Sequence, residues 1–400
     1  MLFRFKLARC GCLVLAAAIL SGCAASRVPF RDEAEPDLRA LSDDLDPQSL
    51  RAAIRQSLNY LQQLPPERVV GVEPRRFSVS DVRESLFAFA KLLDLWSCQP
   101  CFTRELNAQF DFVPTSADPQ LSEILFTGYY QPVVEGSLVP TEKFRYPIYR
   151  KPPDLITAEL VTLKPEMKAE KVFGRAEGEQ FMPYYSRGEI DEAELLKGQQ
   201  LELAWLENPI DVFFMHIQGS GIVRLPDGSH LSLGYAAQNG RPYRSIGRLL
   251  IDEGKIPGEE MSMQRLRRYL SENPDQRNEI FRFNESYVFF RVLENGPLGS
   301  LDVPVTAGRT LATDGRLFPK GALAWIQTQI PVIDDVGRLA GWRPIARFVL
   351  NQDTGGAIRG LQRADLYFGT GDEPGALAGY MNRPGKIFFL MLKRDQPSVN

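Results

Sequence analysis

The sequence predicts a mainly β protein with some α-helix, in more than one domain, ending in a small closed barrel. Three observations predict it. From Gly296 onward helical periodicity nearly vanishes, and short β-prone runs at 303–306, 322–326, 330–333, 345–350 and 387–392 alternate with Gly and Pro. Before residue 100 the pattern is the opposite, with two apolar stripes at helical spacing. The 400 residues, 44% of them hydrophobic, suffice for roughly two or three domains of about 150 each and exclude global disorder.

Residues 1–22 read as an export signal. Arg4, Lys6 and Arg9 form its charged end, and Cys10 to Leu20 is an apolar run of eleven residues. That run is too short to span a bilayer, which needs about 20. Leu20-Ser21-Gly22-Cys23 resembles a bacterial lipoprotein cleavage box, which would make Cys23 an acylated N-terminus. Ala24 is not the aspartate that favours inner-membrane retention in that class. The resemblance therefore implies an outer-membrane lipoprotein facing the periplasm of a Gram-negative bacterium. The formal charge is −3, and no Lys/Arg block occurs, which argues against nucleic acid as a partner. Of the other cysteines, Cys98-Gln-Pro-Cys101 is expected to form a local disulfide in an oxidising compartment. A redox motif and half a zinc site are the alternatives.

Residues 23–45 are acidic and weakly patterned, as a tether would be. Asp46-Pro47 then predicts a helix start, with Leu50, Ile54, Leu58 and Leu61 inward and Pro65-Pro66 as the stop. A second helix is expected from Ser80 to Trp96, burying Val82, Leu86, Phe89 and Leu93. A strand at 124–126 runs into Gly128-Tyr129-Tyr130-Gln131-Pro132; the paired tyrosines suit either a sugar groove or a core cap. Residues 192–206 are expected to be helical and 211–217 a strand. A hairpin follows, 222–225 with 231–235, turned at Pro226-Asp227-Gly228. Helices at 243–253 and after Ser262, and a strand at 287–290, complete this part.

The densest stretch is 351–371. Asp353 and Asp365 bracket three glycines and two arginines. Gly355 and Gly356 would admit a close approach or a positive φ. Solvated aspartates on a tight turn are the plain reading. Asp353-Thr354-Gly355 also matches the aspartic-protease triplet, but such enzymes need two. The chain has two histidines, no H-E-x-x-H, no Gly-x-Ser-x-Gly elbow and no complete dinucleotide or Walker pattern, so neither a metal nor a cofactor is expected.

Asp353-Thr-Gly-Gly-Ala-Ile-Arg-Gly360 followed by Asp365-Leu-Tyr-Phe-Gly369 closely resembles the C-terminal three-aspartate domain of the membrane-bound lytic murein transglycosylase A family. Asp314, in Thr313-Asp-Gly-Arg-Leu-Phe-Pro319, would be its first aspartate. Thr127-Gly-Tyr-Tyr-Gln-Pro132, Ile217-Gln-Gly-Ser-Gly221 and Asn239-Gly-Arg-Pro-Tyr-Arg-Ser-Ile-Gly247 resemble the same family. The resemblance implies a double-psi β-barrel domain from 46–132 and 296–400, with a smaller β-rich domain inserted at 133–295. It implies a groove for a peptidoglycan glycan strand, cut between N-acetylmuramic acid and N-acetylglucosamine without water. Asp365, Asp353 and Asp314 would be the catalytic set, with Asp365 making the proton transfers. Tyr129, Tyr130, Gln218, Ser220 and Tyr243 would line the groove. Partners would be the glycan strand, the outer membrane and a cell-wall synthesis complex. Asp365 would need a raised pKa, expected from burial beside Leu366 and Phe368 and from a nearby Asp353, with Arg359 and Arg363 pointing away. A non-catalytic peptidoglycan tether is the alternative.

Overall fold

Asp46 accepts a hydrogen bond from the Ser49 N–H (2.8 Å) and starts the helix Pro47–Leu61, which buries Leu50, Ala53, Ile54 and Leu61. The computed structural model describes residues 41–394 apart from 117, 160–170 and 295. Cys23, the export signal and most of the expected tether lie outside the described residues. Residues 41–45 do not behave as a tether. Asp43 forms a buried ion pair with Arg309 (2.5 Å), Asp44 pairs with Arg347 (2.6 Å), and Leu41 is buried. Ser78 and Asp81 form a capping box on the second helix, Val79–Leu92. A third helix, Gln99–Gln109, begins at Cys98, which is disulfide-bonded to Cys101. The rings of Phe89 and Phe102 from these helices lie 5.0 and 6.0 Å from that of Phe348, so the helices share one core with the sheet beneath them. Among the described residues no helix is long and apolar enough to cross a membrane.

That sheet is a closed barrel of six strands. In spatial order they are Leu323–Ile333, Leu339–Asp353, Thr310–Ala312, Arg363–Thr370, Ile124–Gln131 and Asn382–Leu392. The last closes onto the first, with Ala324 opposite Phe389, and closure leaves no free edge there. Phe110–Pro114 adds to Asn382–Leu392 from outside. The runs expected at 322–326 and 330–333 are one strand. Pro331 does not break it, because the pairing with Asn382–Leu392 covers only 324–327 and leaves that end with one neighbour. Residues 303–306 form no strand; Pro304 makes an isolated bridge to Leu298.

After Pro132 the chain enters a second, six-stranded sheet ordered Val288–Val292, His230–Gln238, Ser220–Arg224, Val133–Ser137, Glu202–Leu206 and Tyr146–Tyr149. The predicted hairpin is there, Ser220–Arg224 against His230–Gln238. Two expectations fail. Residues 211–217 belong to a helix, Pro209–Gln218, despite their β-prone composition. Asn208 caps it through the Ile210 N–H (2.9 Å), Pro209 takes the first turn, and Gly219 ends it at φ +76°. Buried on several faces, it serves two cores at once, Phe213 and Phe214 in one and Met215 in the other. Residues 192–206 are not helical. The helix Arg187–Asp191 stops before them, Gly198 has a positive φ, and Glu202–Leu206 pairs on both sides as a strand.

Candidate active site

The site is built on four neighbouring barrel strands, Leu339–Asp353, Thr310–Ala312, Arg363–Thr370 and Ile124–Gln131. In strand register Ala312 stands opposite Asp353 on one side and Asp365 on the other. The two aspartates are thus two strand spacings apart, roughly 10 Å between backbones. Asp365 in turn stands opposite Thr127, and Tyr367 opposite Tyr129, across the parallel pair Arg363–Thr370 and Ile124–Gln131. Side chains alternate faces along a strand. Arg363, Asp365 and Tyr367 therefore share one face with Thr127 and Tyr129, while Leu366 joins the barrel core.

A cavity of about 540 Å³ opens over this face. Asp353, Asp365, Tyr129 and Tyr367 line it from the barrel. Gln218, Ser220, Tyr235 and Tyr243 line it from the second sheet and its connections. The Gln218 Oε1 accepts from the backbone N–H of Tyr130 (3.0 Å), which orients the side chain. At the rear, Arg187 donates to His216 Nδ1 (3.0 Å). Arginine only donates, so this imidazole carries its proton on Nε2. Burial, then the Arg187 charge, hold its pKa well below the usual value.

The two aspartates differ in their partners. Both oxygens of Asp353 are engaged: Oδ1 accepts from the Ser300 and Thr354 N–H groups (2.8 Å each) and Oδ2 from the Tyr129 hydroxyl (2.8 Å). Burial raises its pKa, and those three donors oppose the rise. Asp365 accepts from the Thr127 hydroxyl at Oδ1, which Arg363 Nη2 approaches to 3.7 Å. Its Oδ2 has no hydrogen-bond partner among the described residues, and the side chain remains 20% exposed. Burial raises its pKa against the Thr127 bond and the Arg363 charge. A carboxyl held towards its neutral form, with one oxygen open to a cavity, can donate a proton to a bound ether oxygen and later take one back.

A solved structure described as membrane-bound lytic murein transglycosylase from Agrobacterium tumefaciens matches this chain with a TM-score of 0.72 at 30% identity, covering 87% of this chain and 93% of that one. The family descriptions "MltA specific insert domain" and "3D domain" match residues 125–291 and 309–391. The chain belongs to the membrane-bound lytic murein transglycosylase A family. The Escherichia coli K12 protein of that name is 34% identical over 270 residues, 67% of this chain and 65% of the relative, so the alignment spans just under two thirds of that relative's length. A structure of E. coli MltA with bound chitohexaose matches with a TM-score of 0.65 at 26% identity, covering 90% and 94% of the two chains.

Of the residues that the family motifs single out, the structure brings Asp353, Asp365, Tyr129, Gln218, Ser220 and Tyr243 to one cavity and leaves two away from it. Tyr130 follows Tyr129 on a strand and so turns to the opposite face. There it is buried, and its ring packs so closely that a Cβ on Gly375 would lie 2.6 Å from it. Asp314 does not line the cavity. Its fully buried carboxylate accepts from Arg316 (2.8 and 3.0 Å) and from the Gly360 N–H (2.9 Å), at a residue with φ +81°. Burial alone would raise its pKa, but these bonds bring it down to about 2. Asp314 therefore ties down the loop between the other two aspartates, and Gly360, not Gly355 or Gly356, is the glycine with positive φ there.

The surroundings of Asp365 also differ from expectation. Leu366 sits in the barrel core and Phe368 packs against it. Asp353 is two strands away and occupied with its own donors. Arg359 does turn aside, donating to the Gly355 and Ile358 carbonyls (3.1 and 3.2 Å), whereas Arg363 faces Asp365. Sequence reasoning turned Arg363 away from the site and missed Thr127, Tyr367 and Ser300. Arg363, Thr127 and Tyr367 carried a usable signal, since each lies two residues from a named site residue on a strand. Ser300 carried none.

Proposed function

We propose that this protein is a lytic transglycosylase that cleaves the β-1,4 bond between N-acetylmuramic acid and N-acetylglucosamine in peptidoglycan and leaves a 1,6-anhydro end. The observation that carries the reading is the contrast between an Asp353 with both oxygens hydrogen-bonded and an Asp365 with Oδ2 open to the cavity. A hydrolytic glycosidase uses two carboxyls, one as acid and one as nucleophile or base. Here one is free for proton transfer, and one suffices when the nucleophile belongs to the substrate. The Asp365 proton passes to the glycosidic oxygen as the bond from C1 of the muramic acid to that oxygen breaks. The C6 hydroxyl of the same sugar then attacks C1, and the Asp365 carboxylate takes its proton. Asp365 ends as it began, and no water is consumed.

The Tyr129, Gln218, Ser220 and Tyr243 side chains supply rings and polar groups of the kind that grip acetamido sugars. The family names of the relatives and the chitohexaose bound by E. coli MltA support the same substrate class. The deciding experiment is incubation with purified sacculi followed by mass spectrometry of the soluble products. Anhydro-muropeptides support the reading. Products one water heavier indicate a hydrolase, and no products indicate a tether. We also place the protein on the periplasmic face of the outer membrane through a lipid on Cys23. Cys23→Ala should then move it to the soluble fraction, and continued membrane association would remove the anchor from the proposal.

A further inference from the structure

Arg363 and Asp365 are two residues apart on one strand and face the same way, with Thr127 opposite Asp365 on the neighbouring strand. Three contacts join them. Arg363 Nη2 donates to Thr127 Oγ1 (3.1 Å), Thr127 bonds to Asp365 Oδ1, and Arg363 Nη2 stands 3.7 Å from that same oxygen. A guanidinium has donors and no acceptor, and a threonine hydroxyl has one hydrogen. Thr127 Oγ1 must accept from Arg363, so its own hydrogen goes to Asp365 Oδ1. An oxygen that receives that hydrogen and faces a cation is the worse place for the acid proton, which leaves Oδ2, the oxygen open to the cavity.

We infer that Arg363 is a positioning residue for the reaction proposed above: it commits the Thr127 hydroxyl to Oδ1, so keeps the acid proton on Oδ2, and steadies the carboxylate left when that proton is given up. Arg363 is not among the residues that line the cavity, and Asp365 is the carboxylate paired with it among the described residues. Its Nε is buried without a hydrogen-bond partner, and its Nη2 donates to Thr127 Oγ1.

The other groups around Asp365 do not substitute for it. Tyr243, from the segment before helix Ile246–Asp252, feels the Asp365 charge but is uncharged at neutral pH. The Tyr129 hydroxyl is given to Asp353, and that carboxyl holds three donors of its own. Arg359 spends its guanidinium on loop carbonyls. The arginine thus has a double sign in the cycle. It makes Asp365 a readier acid and a weaker base, which suits a residue that must give up a proton before it takes one.

The inference rests on the proposed reaction, and the test separates the two. With aspartate carboxyls labelled with carbon-13, the Asp365 signal is assigned by its absence from Asp365→Asn and titrated in wild type, Arg363→Gln, Arg363→Lys and Thr127→Val. The expected result is a midpoint at higher pH in Arg363→Gln, a near-wild-type midpoint in Arg363→Lys, and an upward shift in Thr127→Val. On sacculi, Arg363→Gln should lose roughly tenfold or more in kcat with KM within about twofold, less than the 10²–10³ lost with a donor that touches the reacting oxygen. The alkaline limb of kcat should move with the titration. Arg363→Gln/Thr127→Val should be little worse than either single variant, as expected of residues acting through one contact. An unmoved titration in folded Arg363→Gln, or a rise in KM with kcat intact, overturns the role of Arg363. If Arg363→Gln does not fold, an unmoved midpoint in Thr127→Val overturns it equally. A wild type that titrates normally yet releases no anhydro products would instead sink the reaction.

Discussion

Replacing Asp365 by Asn is the sharpest test of the site, because it changes the chemistry while leaving the shape. The amide oxygen can still accept from Thr127 at the Oδ1 position, and the amide nitrogen takes the place of Oδ2. What is lost is the transferable proton and the carboxylate that would receive the next one. Acid–base catalysis contributes about 10²–10⁴ in rate, equal to about 3–5 kcal/mol of barrier at 1.36 kcal/mol per decade. With both transfers on one residue, the loss should reach the upper part of that range. Stability should move the other way. Burial raises the pKa of Asp365 above the ordinary aspartate value near 3.9. The folded state then binds its proton more tightly than the unfolded chain, so this group costs stability as pH rises from about 4 through the folded value, and the cost persists above it. Asp365→Asn removes that cost, so its thermal midpoint should equal or exceed wild type at pH 7 and show no gain at pH 3. The assays are anhydro-muropeptide release from sacculi, chitohexaose binding by calorimetry, and thermal unfolding at the two pH values. Turnover within tenfold of wild type would refute the assignment of Asp365. Loss of binding together with activity would mean that Asp365 holds the sugar and does not merely protonate it.

The remaining tests separate support from chemistry. Asp314→Asn should lower stability at pH 7 by roughly 2–3 kcal/mol at most, from the fall of this carboxyl from 3.8 to about 2, and lower the thermal midpoint with it; the deficit should shrink as pH drops from about 4 towards 2, and activity should survive better than in Asp365→Asn. Tyr130→Ala should cost roughly 3 kcal/mol in urea unfolding through lost core packing, while Tyr243→Ala should weaken chitohexaose binding at little cost in stability. Gly128→Ala should destabilise by about 1–3 kcal/mol, since its Cβ would lie 2.8 Å from the Ala378 backbone and 2.7 Å from the Phe368 ring; an unchanged midpoint by circular dichroism would mean that the helix Asp372–Tyr380 yields there.

The sequence was most legible where local chemistry and tertiary demand agree. Asp46-Pro47 and Ser262 cap helices where predicted, and Pro226-Asp227-Gly228 turns the predicted hairpin. It misled where the two conflict. The run 211–217 has the composition of a strand, but Asn208, Pro209 and Gly219 carry the marks of a helix start and stop. Those three residues outweigh four β-prone ones, Val212, Phe213, Phe214 and Ile217, because caps act on the backbone directly whereas β propensity is largely a statement about the packing surroundings. Giving the flanks priority over the composition would have placed the helix.

The site shows the same division at finer scale. Motifs could name Asp353 and Asp365, but their different jobs follow from hydrogen-bond partners supplied by chain far away in sequence. Ser300 lies 53 residues from Asp353, and Thr127 lies 238 residues from Asp365. No local pattern reports the register that brings Thr127 opposite Asp365. Strand periodicity, by contrast, was available throughout. If 363–368 is a strand, Arg363 cannot point away from Asp365, Leu366 and Phe368 cannot be what dries it, and Tyr129 and Tyr130 cannot both face one groove. None of those expectations applied a strand period to 363–368 or to 127–130, which the structure shows to be strand. Respecting the period puts a guanidinium beside the acid from sequence alone. Burial and charge then oppose each other at Asp365, and a carboxyl between those two influences can both release and recover a proton in one cycle.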